Sequence, residues 1–199
     1  MLVPAPWLLR GSAIVFFVPV PGKRFAHSLL MLVRYREAPV GPYDELLWCR
    51  QRRFGGRKAW HVDPIVVTSE ASVVSGRANW GIPKFRANMA IADRGASSSA
   101  TVWDPDSNRV FADIVTTTGE RGLPLRRGLV PERFVTLVQE RDGQRYWFSP
   151  RAGATIKRVR VDRLSLDAPF PRLNHTQVRF AVALSDFEMN FPVATVEPL

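Results

Sequence analysis

One lysine stands apart from the other basic residues of this chain. In the run Gly76-Arg-Ala-Asn-Trp-Gly-Ile-Pro-Lys-Phe85, Lys84 follows a proline that fixes the backbone ahead of it, in a stretch poor in other cations. An exposed lysine is ordinarily a solvated charge. Held in place and deprotonated, it is instead an amine nucleophile toward a carbonyl carbon. That chemistry needs the neutral amine, and an unperturbed lysine is only about 0.04% neutral at pH 7. Lowering its pKa to about 7 raises the reactive fraction roughly a thousandfold, by desolvation or by a neighbouring cation. Because the next residue is the aromatic Phe85, the shift is expected from burial among Trp80, Ile82 and Phe85, with Arg77 and Arg86 as remote cations.

Once an imine forms, its protonated nitrogen is an electron sink. A β-keto acid can lose CO2 to leave an enamine, and the same iminium can promote aldol addition, retro-aldol cleavage or dehydration. The lysine alone does not choose among these. A second segment, Gly41-Pro-Tyr-Asp-Glu45, supplies Glu45, able to relay protons or repel a departing carboxylate, and Tyr43, able to hydrogen-bond nearby. Arginine suits a substrate carboxylate by its bidentate geometry, and Arg10, just ahead of the first apolar run, is the expected partner by position.

Taken together, the two segments resemble the acetoacetate decarboxylase superfamily. Its members carry a Gly-x-Tyr-x-Glu segment followed, some tens of residues on, by Gly-Arg-(Glu)-x-x-x-x-Pro-Lys-Lys, whose first lysine forms a Schiff base with the substrate ketone. Lys84 matches that lysine and Glu45 the active-site glutamate. Pro6-Trp7 with Arg10-Gly11, and Phe187-Glu-Met-Asn-Phe191, resemble the entry and exit segments of shorter members. Two positions depart: Phe85 replaces the second lysine and Ala78 the glutamate after Gly-Arg.

The resemblance implies a Schiff-base-forming lyase acting on a small β-keto acid, with Lys84 and Glu45 catalytic. Arg10, Tyr43, Arg77, Trp80 and Phe85 are the expected substrate-binding residues, and neither cofactor nor metal is expected. The alternatives are an aldolase or dehydratase on pyruvate-like acids using the same lysine, and a non-catalytic barrel binding a small ligand. A homo-oligomer is expected by the same analogy.

Composition agrees with a soluble protein. The chain has 199 residues, 46% of them hydrophobic, enough for the core of a single domain spanning residues 1–199. No run approaches the roughly 18 apolar residues of a membrane span, and the expected location is cytoplasmic. Cys49 stands alone and is expected to be a half-buried strand residue, while His27, His61 and His175 show no metal-ligand spacing. The net charge of +10 comes from 28 Lys+Arg against 18 Asp+Glu. Its clusters, Arg50-Gln-Arg-Arg53, Arg126-Arg127 and Lys157-Arg-Val-Arg160, are spread along the chain, and the last alternates with apolar residues like the wet face of a strand. That weighs against a nucleic-acid surface; a GC-rich genome or an entrance drawing in carboxylate substrates are the alternative sources of the arginine.

Period-two, β-branched runs dominate. Strands are expected at 12–19, 28–35, 45–54, 145–148, 154–165 and 175–191, with 98–103 and 109–117 paired as a hairpin across the turn 104–108. A short helix is expected over 68–79, capped by Thr68 or Ser69 and ended at Gly81. A second is expected over 130–139, with Pro131 in its first turn. The fold class is mainly β, a β-rich α+β arrangement. Strand count alone allows a sandwich or a barrel; the resemblance implies an antiparallel β-barrel or cone enclosing a cavity, with the lysine near its floor.

Overall fold

The computed structural model describes residues 2–23 and 26–199. Among these residues fourteen strands form one mixed sheet. The first four are long: β1 (Trp7–Pro19), β2 (His27–Glu37), β3 (Tyr43–Phe54) and β4 (Arg57–Val67). Helix α1 (Glu70–Trp80) leads into β5 (Lys84–Arg86), then β6 (Asn88–Arg94), β7 (Ser97–Trp103) and β8 (Val110–Leu125). A 3-10 turn at Glu132–Phe134 precedes β9 (Leu137–Arg141), β10 (Gln144–Phe148), β11 (Arg151–Leu166) and β12 (Leu173–Asn174). A second 3-10 turn, His175–Gln177, precedes β13 (Phe180–Phe191) and β14 (Thr195–Pro198).

The main path runs β14-β10-β9-β4-β3-β2-β1-β13-β11-β8-β7-β6, with β12 on β11 and β5 on β4. Its end strands β14 and β6 are not paired to each other, so hydrogen bonding does not close the sheet into the expected barrel. Pairing is also thin at β4. Its outer edge makes only short parallel pairings, with β5 at Ile65–Val67 and with β9 at Trp60. Helix α1 is the long crossover that a parallel β4–β5 pair requires, and it covers the gap with side chains in place of a further ladder. Its Trp80 packs edge-on against Trp7, ring centroids 5.0 Å apart, and donates from Nε1 to the Pro192 carbonyl at 2.7 Å.

Strand alternation sorts most of the core into two bodies. Phe16, Leu30, Leu32, Leu46, Trp48 and Val66 point to one face and pack with Ala100, Val102 and Ile114 from β7 and β8. Val33, Tyr35, Tyr43, Leu47, Cys49 and Ile65 point to the other, with Trp7, Leu9, Val73 and Trp80. Strands buried on both faces read as continuous apolar runs, as Leu46-Leu-Trp-Cys49 does.

The helix expected over 68–79 is α1. Ser69 is its N-cap, accepting from the Ser72 amide, and Gly81 adopts the left-handed conformation at φ 65° just past its end. The helix expected over 130–139 is not formed. Only Glu132–Phe134 makes a 3-10 turn, and Leu137–Arg141 pairs with β10, so Val138 is buried in a strand. Its apolar residues satisfy either period over so short a stretch, and tertiary pairing decided between them. The hairpin of β7 and β8 forms as expected across Asp104, whose carboxylate accepts from the Asp106 and Ser107 amides. Residues 175–177 form the second 3-10 turn, so the last long strand starts at Phe180.

Gly81→Ala and Gly95→Ala separate two effects at positive φ. Gly95 (φ 62°) faces open space, whereas a Cβ on Gly81 would lie 2.7 Å from Tyr146 Cδ2. By denaturant unfolding, Gly95→Ala is expected to lose about 1 kcal/mol, and Gly81→Ala distinctly more.

Candidate active site

The second face of the sheet walls a cavity of about 320 Å³, with Lys84, Glu45, Tyr43, Tyr35 and Trp80 among its lining residues. Lys84 and Glu45 reach it from different strands. Glu45 lies on β3 opposite Val33 of β2 and Val67 of β4, while Lys84 lies on β5 opposite Ile65 of β4, so β4 alone separates them. The backbone before Lys84 turns tightly at Pro83, the Lys84 amide donating to the Ile82 carbonyl at 2.8 Å. Arg77 then donates from Nε to the Lys84 carbonyl at 2.8 Å, fixing the other side of the same residue.

Lys84 is 5% exposed and its ammonium has three polar neighbours. Nζ lies 2.7 Å from Glu45 Oε2, 3.0 Å from Ser72 Oγ and 3.5 Å from Tyr43 Oη. Tyr35 donates to the other Glu45 oxygen at 3.3 Å. Gly76 lies directly behind the lysine stem, where a Cβ would come within 2.8 Å of Lys84 Cδ.

Burial by itself lowers the pKa of Lys84. The charge of Glu45, then Tyr43 and the hydrogen bonds to both, more than offset it and hold the amine above its ordinary 10.5. This corrects the expectation of a lysine made neutral by burial: the lysine is buried, but its counter-ion is buried with it. Tyr35 is pushed well above its ordinary value, by burial first and then by the Glu45 charge, so it remains a hydrogen-bond donor. Burial also raises Tyr43, partly opposed by Lys84. Cys49, on the same wall, is fully buried and its thiol is raised by burial and by Glu45; it stays protonated.

Of the residues singled out from the sequence, Lys84, Glu45, Tyr43 and Trp80 meet at the cavity. Three do not enter it. Arg10 is 46% exposed and bonded to Glu188 at 3.0 Å and Glu37 at 3.1 Å, because it alternates with the inward-facing Leu9 on β1. Phe85 follows Lys84 on a strand, so it points to the opposite face and packs against the other core. Arg77 acts on the lysine backbone. Ser72 and Tyr35 are the site residues that sequence motifs missed. Ser72 and Gly76 stand four apart on α1, hence on one helix face, and both meet Lys84; Tyr35 lies directly across the ladder from Tyr43.

The chain matches no protein-family model and no curated protein. Solved structures do match in fold. The acetoacetate decarboxylase of Legionella pneumophila superposes with a TM-score of 0.66 at 13% identity, covering 98% of this chain and 88% of that one. The enduracididine biosynthesis enzyme MppR, complexed with pyruvate, gives 0.70 at 12% identity over 98% and 91%. An acetoacetate decarboxylase-like enzyme from Sphingomonas wittichii gives 0.66 at 12% identity over 97% and 92%. The protein thus has the acetoacetate decarboxylase fold over nearly its whole length.

Removing one member of a buried pair strands the other charge. Lys84→Met is expected to lower unfolding stability by about 3–5 kcal/mol. The double variant Lys84→Met/Glu45→Gln should regain most of that loss. Additive losses in the four-way unfolding comparison would mean that the two side chains are not coupled.

Proposed function

We propose that the protein is a Schiff-base-forming enzyme in which Lys84 attacks the ketone of an oxo acid, with decarboxylation of a 3-oxo acid as the favoured reaction. The observation that carries this is the 2.7 Å contact between a fully enclosed lysine and a carboxylate at a cavity wall. Proton transfer from Lys84 to Glu45 across that contact gives a neutral amine and a neutral acid. The amine adds to the carbonyl carbon. Glu45 then returns its proton to the carbinolamine oxygen, which leaves as water, and the iminium rests against the regenerated carboxylate.

In the 3-oxo acid the bond between the carboxylate and the α-carbon then breaks, its electron pair flowing to the iminium nitrogen to give CO2 and an enamine. This step removes a positive and a negative charge together, and burial disfavours charged forms. Protonation of the α-carbon and hydrolysis by water release the methyl ketone and return Lys84. Tyr43, 3.5 Å from Nζ, is placed to hydrogen-bond the substrate at the reacting end.

A second reading uses the same iminium for aldol or dehydratase chemistry on a pyruvate-like acid. It is favoured by Arg10 lying outside the cavity, where it cannot clamp a departing carboxylate, and by Glu45, placed to take a proton from carbon. The similarly folded MppR, which binds pyruvate and a condensation product of pyruvate and imidazole 4-carboxaldehyde, supports it by analogy.

Borohydride reduction in the presence of acetoacetate or pyruvate, followed by intact-mass and peptide mapping, tests the proposal. A reduced adduct confined to Lys84 and lost in Lys84→Ala is expected. Failure of every oxo acid and ketone to label Lys84, alongside saturable ligand binding, would favour a non-catalytic binding protein. Product analysis of CO2 against condensed acid decides between the two chemistries.

A further inference from the structure

The cavity extends well beyond the reacting pair, and its extension is apolar. Cross-strand registers place three rows on its wall: Val33 beside Glu45, then Met31–Leu47–Ile65, then Leu29 beside Cys49 and Val62. From Glu45 to Cys49 is four residues of β3, about 13 Å at roughly 3.3 Å per residue. All the side chains added along that distance are apolar or a protonated thiol. Trp60 and Leu137 continue the surface where β4 meets β9, and Val130 and Phe134 from the β8–β9 connection lie over it.

Two further observations bear on what fills this space. The volume of about 320 Å³ falls where clefts begin to enclose most of a drug-sized ligand, and a four-carbon oxo acid would leave much of it empty. Among the described residues lining the cavity, the cations are Lys84, already paired with Glu45, and Arg151. The Arg151 side chain is 66% exposed at the rim, 3.7 Å from Glu132. A second carboxylate placed deep in the cavity would therefore find no counter-ion, whereas an apolar chain would displace water from apolar walls along its whole length.

Resting on the Schiff-base reading above, we infer that the substrate is a carbonyl compound bearing a medium-length apolar chain. Its carbonyl sits at Lys84 and its chain runs along the Met31–Leu47 and Leu29–Cys49 rows toward Leu137. Binding comes mainly from the chain: the amine of Lys84 forms the imine with loss of water as described for the short acid, and where the compound is a 3-oxo acid the bond to its carboxylate then breaks to release CO2.

The test is borohydride trapping on Lys84 with acetone, 2-pentanone, 2-heptanone and acetoacetate, each titrated separately and read as adduct by intact mass. Each buried methylene should lower the half-labelling concentration by roughly fourfold, so 2-heptanone should label at a concentration on the order of a hundredfold below acetone. Met31→Trp and Leu137→Trp, which fill the proposed channel, should narrow the ratio between the two ketones by tenfold or more. Equal labelling by acetone and 2-heptanone, or stronger labelling by acetoacetate than by either, would overturn the apolar-chain assignment while leaving the amine chemistry standing. No adduct at any chain length would overturn the amine chemistry itself, and the assignment with it.

Discussion

A charged amine and a carboxylate buried side by side in an apolar cavity are stable only while each compensates the other. Either one alone carries a desolvation penalty of several kcal/mol. Together at 2.7 Å, with Ser72 and Tyr35 taking up remaining hydrogen-bonding capacity, they form a closed polar island on an apolar wall. Such a pair is weak as a source of stability, since apolar replacements of similar volume often do as well. Its value is that one proton can move between a nitrogen and an oxygen already in contact, making a nucleophile and an acid in a single transfer.

Much of the fold can be understood as what holds that island in register. Glu45 and Lys84 sit on β3 and β5, with β4 between them, so their separation is set by sheet geometry and not by loop conformation. Helix α1 contributes twice: its small residues Ser72 and Gly76 leave room for the lysine stem, and its Arg77 anchors the Lys84 carbonyl. The helix is itself pinned to the N-terminal segment, Asn79 donating to the Val3 carbonyl and Ser75 accepting from the Val3 amide. The same strands that place the polar pair also build the long apolar wall, because inward positions two residues apart on β2 and β3 share one face.

The sequence made the ends of this arrangement legible more readily than its middle. The Pro-Lys step, the Gly-Pro-Tyr-Asp-Glu turn and the Ser69 and Gly81 caps are local signals, and the structure places them as local signals predict. Arg10 and Phe85 were misplaced for one shared reason: in a strand, one residue of offset reverses the face, and nothing local told which face of β1 or β5 looks into the cavity. The Val130–Gln139 stretch went to strand because β10 was available to pair with it. Sheet closure was likewise beyond local reading, since it depends on whether β14 and β6, far apart in the chain, come together. Most consequential was the protonation of Lys84. Burial could be anticipated from Trp80 and Ile82, but its sign depends on Glu45 arriving from 39 residues away within 2.7 Å.

The protonation of Lys84 is therefore the quantity to measure. With the lysine ε-carbon labelled, NMR titration of the empty protein should show the Lys84 resonance changing only above its ordinary value of 10.5, because Glu45 stabilises the ammonium. In Glu45→Gln, burial is left to act with far less opposition, and the midpoint should fall below that value. A wild-type Lys84 that titrates below its ordinary value, or one whose midpoint is the same with and without the Glu45 carboxylate, would contradict the buried pair on which the proposed chemistry depends.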